Sequence, residues 1–245
     1  MPTRTPEEVL RHAAQAPDLA RLDAEVADCF ACPRLVAWRE RVAAERRAAF
    51  RDERYWGRPV PGWGPADAPI GILGLAPAAH GGNRTGRIFT GDRSGDVLFA
   101  ALHRAGLANQ PTSVSRDDGL ELRHTRIFAA VRCAPPDNKP LPVERDTCAP
   151  WLHRELELIK PTLRVVIALG AFAWAAWWPF LVSGYALRPP VPRPKFGHGA
   201  EVRLPGAPVL LGCYHVSQQN TFTGRLTPAM LDEVLARAKA VAGLA

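Results

Sequence analysis

No run of eighteen apolar residues occurs anywhere in this 245-residue chain, which leaves no candidate for a membrane-spanning helix. The opening Met1 to Glu8 has neither the basic nor the apolar region of an export signal, so a cytoplasmic protein with no membrane partner is expected. The chain also lacks Gly-Lys-Ser/Thr after a glycine loop and lacks Gly-x-Gly-x-x-Gly, which argues against a nucleotide or dinucleotide cofactor. Its five cysteines are an odd number, unsuited to a disulfide framework. Negative charge is in deficit: 24 Asp and Glu face 31 Lys and Arg, a formal net charge of +7. That excess suits a polyanionic partner without identifying one, because Arg-rich, Ala-rich usage also follows from genome composition.

What is present begins with the cysteine spacing. Cys29 and Cys32 form a close pair, Cys133 and Cys148 follow about a hundred residues later, and Cys213 stands apart in an apolar run. A close pair joined by two distant thiols is what a four-thiolate metal site requires. Zinc and iron–sulfur centres both accept such a set; a second close pair would favour zinc, and here fourteen residues separate Cys133 from Cys148.

Apolar runs at Ile70–Leu75, His124–Val131, Leu163–Leu169 and Val209–Tyr214 read as buried strands. Helical patterns lie between them at Asp96–Ala105, Val143–Ile159 and Pro228–Val241. The alternation predicts a three-layer α/β/α sandwich around a four-stranded parallel sheet. Residues 1–56 read as N-terminal helices carrying the first two cysteines, within a single domain spanning 1–245. Phe172, Trp174, Trp177, Trp178 and Phe180, set among Ala and Leu, read as a core helix rather than a base-stacking platform.

Ligands of such a sheet bind beyond the carboxyl ends of the strands, where the unusual segments fall. After the first strand comes the glycine-rich Gly74–Asp92, whose backbone can approach a ligand closely and whose Arg84 and Arg87 suit phosphate contact. After the second comes Cys133 to Pro140. After the fourth comes His215 to Arg225, rich in uncharged amides and hydroxyls (Ser217, Gln218, Gln219, Asn220, Thr221) that suit base edges and phosphates.

These segments resemble those of the uracil-DNA glycosylase superfamily, specifically its family 5 branch, close to the iron–sulfur family 4 enzymes. Gly74–Asp92 matches the first motif, His215–Thr227 the second, and Cys29, Cys32, Cys133 and Cys148 the ligands of a 4Fe-4S cluster. The resemblance implies base flipping, with Phe89 stacking on the flipped base and Ala78 and His80 beside it. The chain departs from the family 4 pattern. Leu75 stands where that branch carries its water-activating carboxylate, and Ala129 where it carries an Asn.

Charge development suggests how the chemistry is rearranged. Breaking the glycosidic bond leaves positive charge on the sugar and negative charge on the base. Asp92, next to a helix start that would help keep it ionised, is the candidate for the sugar; Asn138 for reading the Watson–Crick edge; and His215 for donating to the base oxygen. Cys213 reads as a buried hydrophobe.

The expectation is a monofunctional, monomeric, nucleoid-associated glycosylase of base excision repair. It would excise uracil and other deaminated bases such as hypoxanthine and xanthine, with Arg84, Arg87, Arg225 and the second-motif residues on the DNA. The rival reading is a non-catalytic iron–sulfur protein that binds damaged or abasic DNA.

Overall fold

The computed structural model describes residues 2–244. Helices α1 (Pro6–Gln15), α2 (Leu19–Ala27) and α3 (Pro33–Glu45) come first. Local chemistry starts them: Thr5 accepts from the Glu8 amide at 3.2 Å while the Glu8 carboxylate accepts from the Thr5 amide, a reciprocal cap, and Asp18 caps α2. The chain then enters β1 (Ile70–Gly74), α4 (Gly82–Thr85), α5 (Arg93–Arg104), β2 (Thr125–Ala129), α6 (Pro142–Ile159), β3 (Val165–Leu169) and α7 (Ala171–Tyr185). It finishes with β4 (Glu201–Val202), β5 (Val209–Cys213), α8 (Gln218–Phe222) and α9 (Pro228–Ala242).

The sheet order is β2-β1-β3-β5-β4. The first four of these strands are parallel, and each is buried along its whole length, which is why each shows in sequence as an unbroken apolar run. Alternate residues feed two cores. Ile70, Ile72, Ile127, Val165 and Leu211 meet Phe99 and Leu102 of α5 and Leu235 of α9. Leu73, Phe128, Val166 and Leu210 meet Leu156 and Ile159 of α6 and Trp177, Trp178 and Phe180 of α7. The aromatic run is thus core, as expected. Helices α1 and α2 pack outside α6, through Val9, Leu22, Val26 and Trp151.

The sheet has five strands rather than the expected four. The addition is β4, two residues antiparallel to β5, which is too short for any periodicity and lies at the rim. Its Glu201 pairs with Arg203 and Arg237, so the edge carries charge rather than an inviting apolar strip. Among the described residues, no helix is long and apolar enough to cross a membrane.

One buried carboxylate joins sheet to helix. Glu155 of α6 accepts from Arg126 Nε of β2 at 2.7 Å and from Arg132 just beyond β2, and all three side chains are buried. Burial alone would raise the Glu155 carboxyl; Arg132 and Arg126 outweigh it and hold the group below its ordinary range. Because the folded value is depressed, the stabilisation is present above the ordinary carboxylate range and is lost as pH falls through the folded value. Glu155→Gln leaves buried Arg132 without its anion and buried Arg126 with only the more distant Asp23, at 3.7 Å. The expected loss is about 3–5 kcal/mol in urea unfolding, read as a lower midpoint with an unchanged slope.

Candidate active site

The paired strand ends, Gly74 beside Ala129 and Leu169 beside Cys213, bring the following loops to one edge of the sheet. A cavity of about 700 Å³ opens there. It is lined by Ala78, His80 and Asp92 of the loop after β1, by Asn138 of the loop after β2, and by Gln218 at the start of α8. Trp38, Arg47 and Phe50 close it from the N-terminal side. Six residues singled out in sequence, Arg84 among them, therefore meet at one space, although they lie on three separate segments.

Asp92 is the N-cap of α5, its Oδ1 accepting from the Gly95 amide at 3.0 Å. Its other oxygen rests against Gly81, where a Cβ would collide with the carboxylate, so only glycine permits this approach. Burial pushes the Asp92 carboxyl up, against the amides of Gly95 and Ser94. The helix start does favour the ionised form through those two amides, as expected, but lost solvation is the larger effect. Asp92 is both a cap and a wall of the cavity.

His215 follows β5 and packs beside Phe89, with ring centroids 6.1 Å apart and tilted by 44°. Burial depresses the His215 imidazole to about 4, so it is neutral at neutral pH. Asn220 braces it by donating Nδ2 to the His215 carbonyl at 2.8 Å. Phe89, expected to stack on the flipped base, is buried with φ of 54°, its ring against Gly74. Neither Phe89 nor His215 lines the 700 Å³ cavity; they pair at the same edge of the sheet, where His215 is half-buried and keeps some access to solvent. Asn138, by contrast, is exposed on the cavity rim, and it and Asp137 both take the left-handed backbone that Asn and Asp tolerate. His80 Nδ1 lies 3.0 Å from the Tyr55 hydroxyl, and burial, then Arg47 and Arg84, lower its imidazole.

Two assignments to the DNA surface are corrected. Arg84 is only 7% exposed: it pairs with Glu53 and donates to the Gly91 carbonyl at 2.9 Å and the His80 carbonyl at 2.8 Å. Arg87 is only 6% exposed and binds Asp118 at 2.8 Å, Thr90 and Ser113. Both guanidinium groups hold the first-motif loop together and have little left for phosphate. In the second motif, the Asn220 amide and the Thr221 hydroxyl likewise bond to the main chain of their own turn, the latter at the Ser217 carbonyl. Gln218 and Gln219 are exposed, Ser217 is half-buried, and exposed Arg225 lies 4.7 Å over the Tyr214 ring.

Sequence reasoning missed Arg47 and Arg93, exposed cations at the cavity mouth, as well as Trp38 and Tyr55. Arg47 sits in an Arg- and Ala-rich stretch indistinguishable from an ordinary helix surface, and no local pattern marks the others.

The four cysteines also meet. Cys29, Cys32, Cys133 and Cys148 line one small cavity of about 20 Å³ together with Arg39, Arg132, Leu35 and Trp151, and neither carboxylate nor imidazole joins them. Burial raises all four thiols: Cys133 is pushed up to about 11, and Cys32 to about 12 with help from Cys133 and Cys29. Among the described residues, no three His, Cys, Asp or Glu side chains are drawn together closely enough to hold a single metal ion. Cys213 is buried within β5, as expected.

Comparison with known proteins agrees with this geometry. The family model described as "Uracil DNA glycosylase superfamily" matches residues 61–239. The chain is 56% identical over 232 residues to the type-5 uracil-DNA glycosylase of Mycobacterium tuberculosis, covering 95% of this chain and 85% of that protein. It is 54% identical over 216 residues to the type-5 uracil-DNA glycosylase of Thermus thermophilus, covering 88% and 94%. A type-4 uracil-DNA glycosylase of Thermotoga maritima is 33% identical over 126 residues, covering 51% of this chain and 55% of that protein.

The burial of His215 has a direct spectroscopic consequence. Its ring resonances should show no titration near 6.5 and should move only as pH approaches about 4. Since its folded value is depressed, the unfolded chain binds the proton first, and His215 withdraws stability as pH falls from about 6.5 to about 4. NMR titration of the His215 ring checks this; a midpoint at the ordinary histidine value contradicts the buried, neutral state.

Proposed function

Because the chain belongs to the uracil-DNA glycosylase superfamily, we propose that it is a monofunctional DNA glycosylase of base excision repair, which flips uracil out of DNA and hydrolyses its bond to the sugar. The observation that carries this reading is Asp92: a largely desolvated carboxylate in the wall of a solvent-reached cavity, held in place by one amide and one bare glycine. In the reaction Asp92 faces the sugar as positive charge grows there, an interaction made stronger by poor solvation. His215 is neutral, so one ring nitrogen still carries a proton to donate to the oxygen of the departing base. Asn138 on the rim offers both a donor and an acceptor to the base edge. No lysine is among the residues lining the cavity, which favours water over a protein amine as the group that takes the sugar carbon.

Phosphate contact falls to the exposed Arg47, Arg93 and Arg225 and to Gln218 and Gln219, while Arg84 and Arg87 shape the loop behind them. The same site suits purine bases such as hypoxanthine and xanthine. Its volume lies within the range of pockets that take ligands larger than a pyrimidine, and β2 ends in Ala129, a residue with no side-chain group to impose a uracil-specific hydrogen bond.

In this proposal Cys29, Cys32, Cys133 and Cys148 hold a 4Fe-4S cluster. The donor set suits it: four soft sulfurs around one buried space, with no harder ligand. When bound, the cluster supplies a structural tie rather than a step of base excision, joining the segment ahead of α3 to the loop that carries Asn138 and to α6.

Oligonucleotides carrying a single uracil, hypoxanthine or xanthine, incubated with the protein and then treated with alkali, test the proposal on a gel. Strand scission at uracil is the expected result, with hypoxanthine also cut. Binding to all three without scission on any of them contradicts a glycosylase and leaves a damage-binding protein.

A further inference from the structure

We propose that Arg39 is the buried counter-cation of the four-cysteine site, a positioning residue whose charge holds the cluster and sets its reduction potential. This rests on the cluster reading given above.

Arg39 projects from α3 and is 0% exposed. Its Nη1 donates to the Cys133 sulfur at 3.0 Å and to the Cys29 carbonyl at 2.9 Å, and its guanidinium lies 4.8 Å from the centre of the Phe30 ring. Nε and Nη2 are buried and have no hydrogen-bond partner. The nearest carboxylate oxygen, from Glu40, stands 3.9 Å from Nη2 on a side chain that is half exposed, so water screens much of its field. The other buried cations in this region are answered: Arg132 and Arg126 share Glu155. Arg39 is different: the buried side-chain group to which it donates is the Cys133 thiol, and no buried carboxylate lies within ion-pair reach.

An arginine without an anion in such a place is costly, since a buried charge needs pairing as well as hydrogen bonds. Neutral thiols do not supply that pairing. Four thiolates around a doubly charged metal core do, because together they carry a net double negative charge, and a charge-assisted N–H···S contact is the form in which a protein stabilises it. The backbone amide of Arg132 makes the corresponding contact to Cys148 at 3.3 Å. Arg39 also keeps its own place: the buried Asn83 of α4 donates to its carbonyl at 3.2 Å. A cation fixed against the cluster favours whichever redox state is more negative, so removing it should lower the potential.

The test uses the full chain, purified without oxygen, in wild-type, Arg39→Gln and Arg39→Lys forms. Iron per chain and visible absorbance are read first. The decay of that absorbance under a chelator, and the midpoint potential by spectroelectrochemistry, follow. The Gln variant should release iron about ten- to a hundred-fold faster and show a more negative potential, while the Lys variant stays close to wild type on both. A Gln variant that purifies without iron beside a Lys variant that keeps it gives the same answer. Wild-type release and potential in the Gln variant overturn the role. So does equal impairment of both variants, which makes the shape of the side chain, and not its charge, the requirement. A wild-type protein without iron, or with stoichiometric zinc, overturns the cluster itself and Arg39's role with it, and shows this before any substitution is compared.

Discussion

The carboxylate of Glu155, closed between Arg126 and Arg132, fixes the relation on which both sites depend. Arg126 belongs to β2, Arg132 to the start of the loop after it, and Glu155 to α6, so one buried anion sets how that loop leaves the sheet. The loop carries Cys133 and Asn138; the helix carries Cys148. Hydrogen bonds of ordinary strength between the same elements would permit sliding, whereas a desolvated carboxylate with two guanidinium partners tolerates little displacement before a charge is left bare. The cysteine site and the rim of the active-site cavity are thereby set by one contact, whose Arg132 lines the cysteine cavity and whose members are absent from the lining of the larger one.

Burial also decides protonation. The same loss of solvation that raises the Asp92 carboxyl depresses His215 to about 4 and raises the four cysteine thiols. A neutral imidazole and a poorly solvated carboxylate are what the departing base and the cationic sugar would each need, and both arise because the polar loops fold back over the apolar strand ends. Helix α3 links the two regions. Trp38 lines the cavity and its neighbour Arg39 meets the thiols, so a shift of this helix is felt on both sides.

Much of this was legible in the sequence, for identifiable reasons. Strands buried on both faces read as apolar runs, and the expected His124–Val131 encloses the observed Thr125–Ala129. The four cysteines were legible because few other arrangements require that spacing. Strand β4 was not, since two residues carry no period. Arg84 and Arg87 were misread because an arginine that binds phosphate and one that binds a buried carboxylate look alike in sequence. Their partners Glu53 and Asp118 each lie 31 residues away, and only the fold brings them close. Asp92 shows the opposite difficulty: its sequence position before a helix suits a cap as well as a site residue, and its geometry serves both. Arg39 gave no signal, because the thiol it contacts, Cys133, lies 94 residues away.

The central claim is that Asp92 answers the sugar and His215 the base. Single-turnover excision from uracil- and hypoxanthine-containing DNA by Asp92→Asn and His215→Ala tests it most directly, the Asn being chosen because it keeps an oxygen to cap α5. Both variants should be slower by about a hundredfold or more with DNA affinity retained, since each lost interaction belongs to the transition state. The Asp92 variant should slow both substrates alike, because the sugar is common to them, whereas the His215 variant should change their ratio. An Asp92→Asn protein with wild-type rates would contradict the account and leave that residue a helix cap alone.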